Sequence, residues 1–252
     1  EAVLICSSTD THSKYIIESA KAGKHIFCEK PIDYDLRKVR ESIGAADNAN
    51  VKLFIGFCRR FDHNHKAVHD IVAAGKIGAP HIIKISSRDP EPPPISYVKV
   101  SGGIFYDMMI HDFDMARFLA ESEAVEVHTQ GSVLVDPAIG EAGDVDTAVV
   151  TVKFESGAIA VIDNSRKAVY GYDQRVEVFG EKGMAANAND LPNTAFLSNA
   201  EGTVYETCYK IMWDRYTQAF VNEMKSFAKC VSEDTEPSVT GMDGLYPVLM
   251  AA

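Results

Sequence analysis

The sequence predicts an α/β plus α+β protein: part of a doubly wound parallel sheet, followed by a domain with a large, mostly antiparallel open sheet. Three observations predict it. Short apolar runs alternate with helical stretches through the first sixty residues, the pattern of a parallel sheet with crossover helices. Beyond that point strand-like runs follow one another with turn signals between them. One of these runs, residues 147–154, alternates apolar and polar at period two, so one face of its sheet is covered and the other open.

Each element follows from local chemistry. Residues 2–7 read as a continuously apolar strand covered on both faces. Ser7-Ser8-Thr9-Asp10-Thr11 is a polar turn rich in capping residues, and residues 12–22 form a helix closed by Gly23. A second strand over 24–28 leads into Glu29-Lys30-Pro31, where the proline fixes φ and stiffens the turn. A helix over 36–46 and an apolar strand over 51–57 complete this part. Ligands of such sheets sit outside the carboxyl ends of the strands. Residues 7–11, 29–31 and 58–60 therefore share one rim.

The second part reads as a helix over 64–74, a strand over 81–88, a rigid Pro-rich loop over 90–94 and a helix from about 103 to 120. Strands follow over 125–135, 147–154, 158–164, 175–179, 194–198 and 203–207, with a hairpin turn at Glu155-Ser156-Gly157. A long helix spans about 213–230. The expected division is residues 1–60, residues 61–240 and a C-terminal helical segment over 241–252.

Lys plus Arg is 25 against 36 Asp plus Glu, a net charge of −11. Such a surface does not attract phosphate backbones or anionic membranes, so no nucleic-acid or membrane partner is expected. No apolar run approaches the roughly 20 residues needed to span a bilayer. The five cysteines include no Cys-x-x-Cys pair, and Cys6, Cys28 and Cys58 sit in or beside apolar runs. Free thiols in a reducing cytoplasm are expected, with no structural metal site.

The most informative segment is the run from Gly102 to Asp114. At about 100° per residue, Asp107, His111 and Asp114 share one narrow stripe of a helix otherwise covered by Met108, Met109, Ile110, Phe113 and Leu119. Ionisable groups in a buried helix cost several kcal/mol unless paired or used. One reading is a histidine base oriented by a carboxylate. Two others stay open on these residues alone: a solvated helix edge, and a metal site using Asp107, His111 and Asp114. Lys30, Arg59 and Arg60 at strand ends and His12 in a first helical turn are each compatible with ordinary structural roles.

Taken together these residues resemble the glucose-fructose oxidoreductase / inositol dehydrogenase / rhizopine-catabolism (Gfo/Idh/MocA) family. Ser7-Ser8-Thr9-Asp10-Thr11-His12 is similar to its strand–loop–helix segment. Residues 22–31, ending Glu29-Lys30-Pro31, resemble its Glu-Lys-Pro signature, and Gly102-Gly103 followed by Asp107-x-x-x-His111 resembles its catalytic helix. Arg215-Tyr216-x-x-Ala219-Phe220-x-x-Glu223 and Gly241-x-Asp243-Gly244 resemble its C-terminal elements. Phe57-x-Arg59-Arg60-Phe61-Asp62, Arg88-Asp89-Pro90, residues 110–114 and Tyr170-Gly171-Tyr172-Asp173-Gln174-Arg175 are most similar to inositol 2-dehydrogenases within it.

The resemblance implies a Rossmann-type dinucleotide domain over 1–60 and a substrate-binding, oligomerising domain after it. It implies NAD as cofactor, with NADP the alternative, and a polyol or sugar as substrate, in a cytoplasmic homo-oligomer, a dimer or tetramer. Implied catalytic residues are His111 as base, Asp107 holding its ring, and Lys30 gripping the reacting oxygen. Implied cofactor contacts are Ser7, Ser8, Thr9, His12, Glu29 and Lys30. Implied substrate contacts are Lys30, Arg60, Asp114 and Tyr172. No Gly-x-Gly-x-x-Gly turn occurs in the 252 residues. The resemblance implies that roughly 65–75 residues carrying that turn belong before Glu1, that the chain stops within a helix, and that as given it binds cofactor poorly or not at all. A non-catalytic sugar sensor of the same fold and a dehydrogenase of another sugar or dihydrodiol remain the alternatives.

Overall fold

Strand and helix boundaries follow the turn chemistry closely. In the computed structural model, which describes residues 1–252, the elements run β1 (Ala2–Ile5), α1 (Thr9–Lys21), β2 (His25–Glu29), α2 (Leu36–Asn48), β3 (Leu53–Gly56), α3 (His63–Ala73), β4 (Pro80–Arg88), α4 (Ile95–Val98), α5 (Ile110–Ala120), β5 (Ala124–Ser132), α6 (Pro137–Glu141), β6 (Thr147–Phe154), β7 (Ile159–Ser165), β8 (Asp173–Gly180), β9 (Gly183–Ala186), β10 (Phe196–Asn199), β11 (Gly202–Tyr205), α7 (Met212–Ser232) and α8 (Gly241–Ala251). A 3-10 turn at Cys58–Phe61 follows β3, and a π-helical turn at Phe105–Met109 leads into α5.

The chain divides into two units. The first comprises residues 1–62, 104–115 and 218–252. Its strands β1, β2 and β3 lie side by side in that order, all parallel. Ile5 pairs with Cys28 and Cys28 with Ile55, so the three strands end level and their following loops leave from one rim. Gly23, at φ +64°, turns the chain out of α1, and the Asp35 carboxylate accepts the Arg37 N–H to start α2. The core gathers Ile16, Ile26, Phe27, Phe54, Ile55, Phe227 and Val248. Phe227 lies 5.8 Å from both Phe27 and Phe54, an aromatic cluster that seats α7 on the sheet. Thr240 and Asp243 form a reciprocal capping box at the start of α8.

Within the chain, β1 lies at the edge of the three-stranded sheet and Leu4 is 58% exposed. One expectation differs. Residues 104–115 and 218–240, which linear order groups with the second domain, fold with residues 1–62. Their apolar side chains Ile110 and Phe227 belong to the first core, and burial rather than chain order decides membership.

The second unit comprises residues 63–103 and 116–217. Its six-stranded sheet has the order β5-β6-β7-β4-β8-β9, antiparallel at every pair but β4–β7. On β6, Ala148, Val150, Val152 and Phe154 are buried while Val149, Thr151 and Lys153 face out, as the period-two pattern predicts. Helices α4 and α6 and strand β9 carry too few residues for a period to show, and pairing with β8 makes β9 a strand. Gly180 ends β8 where two carbonyls close in. A Cβ there would lie 2.6 Å from the Ile77 oxygen and 2.8 Å from that of Ala79. Gly180→Ala is expected to cost about 1–3 kcal/mol in chemical denaturation, because backbone rather than a side chain must yield.

Candidate active site

The site is built on the rim of the first unit. Its first loop, Cys6–Ser8, is exposed at the carboxyl end of β1. Ser8 stands at the N-cap of α1 in extended conformation, and its side chain makes no capping bond. The Thr11 N–H donates to the Ser8 main-chain oxygen at 3.0 Å, and the missing side-chain cap suits an acceptor group of a ligand at this helix start. Ser7 Oγ and Thr11 Oγ1 lie 2.6 Å apart and tighten the turn.

His12, on α1 and 1% exposed, joins this loop to the next. Its Nδ1 lies 2.8 Å from the Pro31 carbonyl oxygen and its Nε2 2.9 Å from that of Ser7. His12 is thus enclosed between the two loops and shapes both. The second loop, Glu29-Lys30-Pro31, contains a cis Lys30–Pro31 peptide. The Glu29 side chain lies over Gly56, whose lack of a Cβ leaves room for it: an added carbon would sit 3.0 Å from Oε2.

Lys30 crosses to the π-helical turn. Its Nζ donates to the Asp107 main-chain oxygen at 2.6 Å and stands 3.8 Å from Asp107 Oδ1. Burial lowers the Lys30 pKa, and the Asp107 and Glu29 charges oppose that shift. His111, at the start of α5, stacks edge-on against Phe57 with ring centres 6.0 Å apart, and its Nδ1 has no hydrogen-bond partner. Its pKa is held well below 6.5, first by burial and then by the Lys30 and Arg59 charges. The imidazole is neutral at physiological pH and able to accept a proton.

The three residues of the expected catalytic set, Lys30, Asp107 and His111, are therefore brought together, but with a different internal pairing. Asp107 faces Lys30, and His111 Nδ1 is left open. The π turn at residues 105–109 replaces the expected regular helix there; such turns recur at functional sites.

Below this trio lies a buried ion network. Arg59 donates to Asp112 at 2.6 Å. Arg60 grips Asp114 with two hydrogen bonds, at 2.9 and 2.5 Å, and donates a third at 3.0 Å to Asp243. Both aspartates on α5 are at most 1% exposed. Burial alone would lower the Arg60 pKa, but Asp114 and Asp243 hold it above its ordinary value. The stripe seen in sequence is real, yet its carboxylates are matched to cations arriving from the rim: Asp107 to Lys30 and Asp114 to Arg60. Arg59, Asp112 and Asp243 carry as much of this network and were not singled out as site residues. No local signal marks them, because Arg59 and Arg60 meet their aspartates 53 and 54 residues further on. Tyr172 belongs to the second unit, where it is 5% exposed, edge-on to Tyr216, and donates its main-chain N–H to the Tyr209 oxygen.

A family model described as "Oxidoreductase family, NAD-binding Rossmann fold" matches residues 1–57, and one described as "GFO/IDH/MocA C-terminal domain" matches residues 65–186. The chain belongs to the GFO/IDH/MocA oxidoreductase family. Within the family it is 51% identical over 250 residues to the myo-inositol 2-dehydrogenase of Thermotoga maritima, covering 99% of this chain and 75% of that protein. It is 45% identical over 251 residues to the inositol 2-dehydrogenase of Rhizobium meliloti, covering 100% of this chain and 76% of that one. The crystal structure of scyllo-inositol dehydrogenase from Lactobacillus casei with bound NAD(H) and scyllo-inositol superimposes with a TM-score of 0.91 at 32% identity, over 99% of this chain and 75% of that chain. No helix of the chain is long and apolar enough to cross a membrane.

Proposed function

We propose that this family member is an NAD-dependent dehydrogenase that oxidises a secondary hydroxyl of a cyclic polyol to a ketone, with inositol as the substrate class. The observation that carries the reading is Lys30, held on the Asp107 carbonyl, beside a buried neutral His111. His111 accepts the hydroxyl proton through its open, neutral imidazole. Lys30 donates to the substrate oxygen and stabilises its growing negative charge. Asp107 keeps the ammonium charged and aimed against the burial that opposes it. The residues at hand fit a nicotinamide: an exposed polar loop, a helix N-terminus without a side-chain cap and the Glu29–Lys30 turn meet on one rim. Ser7, Ser8, Thr9, Glu29 and Lys30 would hold it, with His12 acting through the loops it joins. When bound, that group supplies the hydride acceptor.

Arg60 and Asp114 serve the substrate by fixing the 3-10 turn, α5 and α8 to one another. Five free thiols fit a reducing cytoplasm. Exposed Val149, Ile159 and Phe179 on the open face of the six-stranded sheet fit a homo-oligomer, a dimer or tetramer, joined there. A sugar sensor of the same fold has no need of a proton acceptor, and the depressed His111 beside a lysine favours the enzyme.

Absorbance assay of NAD and NADP reduction across inositols, sugars and dihydrodiols tests this. Turnover with inositols and NAD is the expected result; reduction with acyclic sugars alone would overturn it. Lys30→Met is expected to lower kcat about 10²–10³-fold while the dissociation constant for NAD, measured by fluorescence, changes less. The reverse pattern would make Lys30 a cofactor clamp.

A further inference from the structure

One buried acid takes no part in the reaction as described. Glu223, on α7 in the first unit, is 1% exposed, and its Oε1 has no hydrogen-bond partner. Two carboxylates add their negative charge to its surroundings: Glu29 at the end of β2 and Asp114 on α5. The cations of this region are committed elsewhere. Lys30 binds Asp107, Arg59 binds Asp112, and Arg60 binds Asp114 and Asp243.

Two enclosed carboxyls with no cation between them do not both ionise. Their surroundings decide which keeps the charge. Burial raises the Glu29 pKa, but the Lys30 charge, the Lys30 backbone N–H it accepts and His12 all pull back toward its carboxylate. Glu223 has no such support. We propose that Glu223, enclosed with an unpartnered carboxyl oxygen, stays protonated in the folded enzyme, so that one carboxylate charge and not two stands behind Lys30. Burial, Glu29 and Asp114 together push the Glu223 pKa up to about 9. The shared motif Arg215-Tyr216-x-x-Ala219-Phe220-x-x-Glu223 thereby gains a role at its last position. The link to Lys30 rests on the function proposed above; the protonation does not.

The sign of the linkage is open to test. The unfolded chain ionises Glu223 near 4.5, whereas the folded enzyme holds the proton to about 9. Unfolding between those values releases that proton, so stability falls as pH rises across the window. Unfolding of the wild-type enzyme at pH 7 is expected to release one proton more than that of Glu223→Gln, measured with a pH-indicator dye. Infrared spectroscopy is expected to show a protonated carboxyl C=O band at pH 7 that fades as pH passes through about 9 and is absent from the variant. Glu29→Gln, which removes the Glu29 charge, moves that fading to lower pH. This titration in wild type and Glu29→Gln decides the matter if Glu223→Gln does not fold. Activity is expected to fall above about pH 9 in wild type and to lose that limb in Glu223→Gln. Equal proton release by wild type and variant, a missing band at pH 7, or an unmoved alkaline limb each overturns the proposal. None of the first two readings depends on which polyol is oxidised, so their failure is distinct from a failed substrate screen.

Discussion

His111→Ala lowers kcat by about 10²–10⁴-fold, the range that loss of a positioned base removes. The site offers no substitute. Lys30 is bound to the Asp107 main-chain oxygen, and the Asp107 carboxylate is paired with Lys30. The same reading fixes the pH dependence. Burial, Lys30 and Arg59 hold the His111 pKa well below 6.5, so the base is in its neutral form from neutral pH upward and the acid limb of kcat/KM lies below 6.5. The stability contribution has the matching sign. The unfolded imidazole takes up a proton near 6.5 and the folded one does not, so stability present above 6.5 is lost as pH falls beneath it. Steady-state kinetics from pH 5 to 9 checks both. A loss below tenfold in His111→Ala, or an acid limb above 6.5, would remove His111 from the role of base.

Arg60→Met costs about 3–5 kcal/mol in stability, read by denaturant titration, because it strands Asp114 in a site 1% exposed to water. Asp114→Leu costs a similar amount by stranding Arg60, with Asp243 the remaining partner at 3.0 Å. The double variant Arg60→Met/Asp114→Leu loses much less than the sum of the two, since no lone charge is left between those positions. Additive losses would show that the pair acts as two independent surface charges. The network matters to chemistry because α5 carries both Asp114 and His111, and the 3-10 turn carries Arg59, one of the charges that keep His111 neutral.

Sequence alone determined what each segment could be. The apolar runs and their turns specified strands, helices and the common rim, because hydrophobic period and capping chemistry are local properties. Through the family resemblance they carry, Glu29-Lys30-Pro31 and Asp107-x-x-x-His111 pointed to a candidate chemistry before any coordinates. Tertiary structure decided who meets whom. The level register Ile5–Cys28–Ile55 aligns the rim, and only then do Arg59 and Arg60 find aspartates 53 and 54 residues away. It turned Asp107 toward Lys30, it returned the Phe227 part of α7 and α8 to the first core, and it left Glu223 buried with an unpartnered carboxyl oxygen. An ion pair depends on separations of a few ångströms between distant residues, and no period or spacing along the chain encodes them.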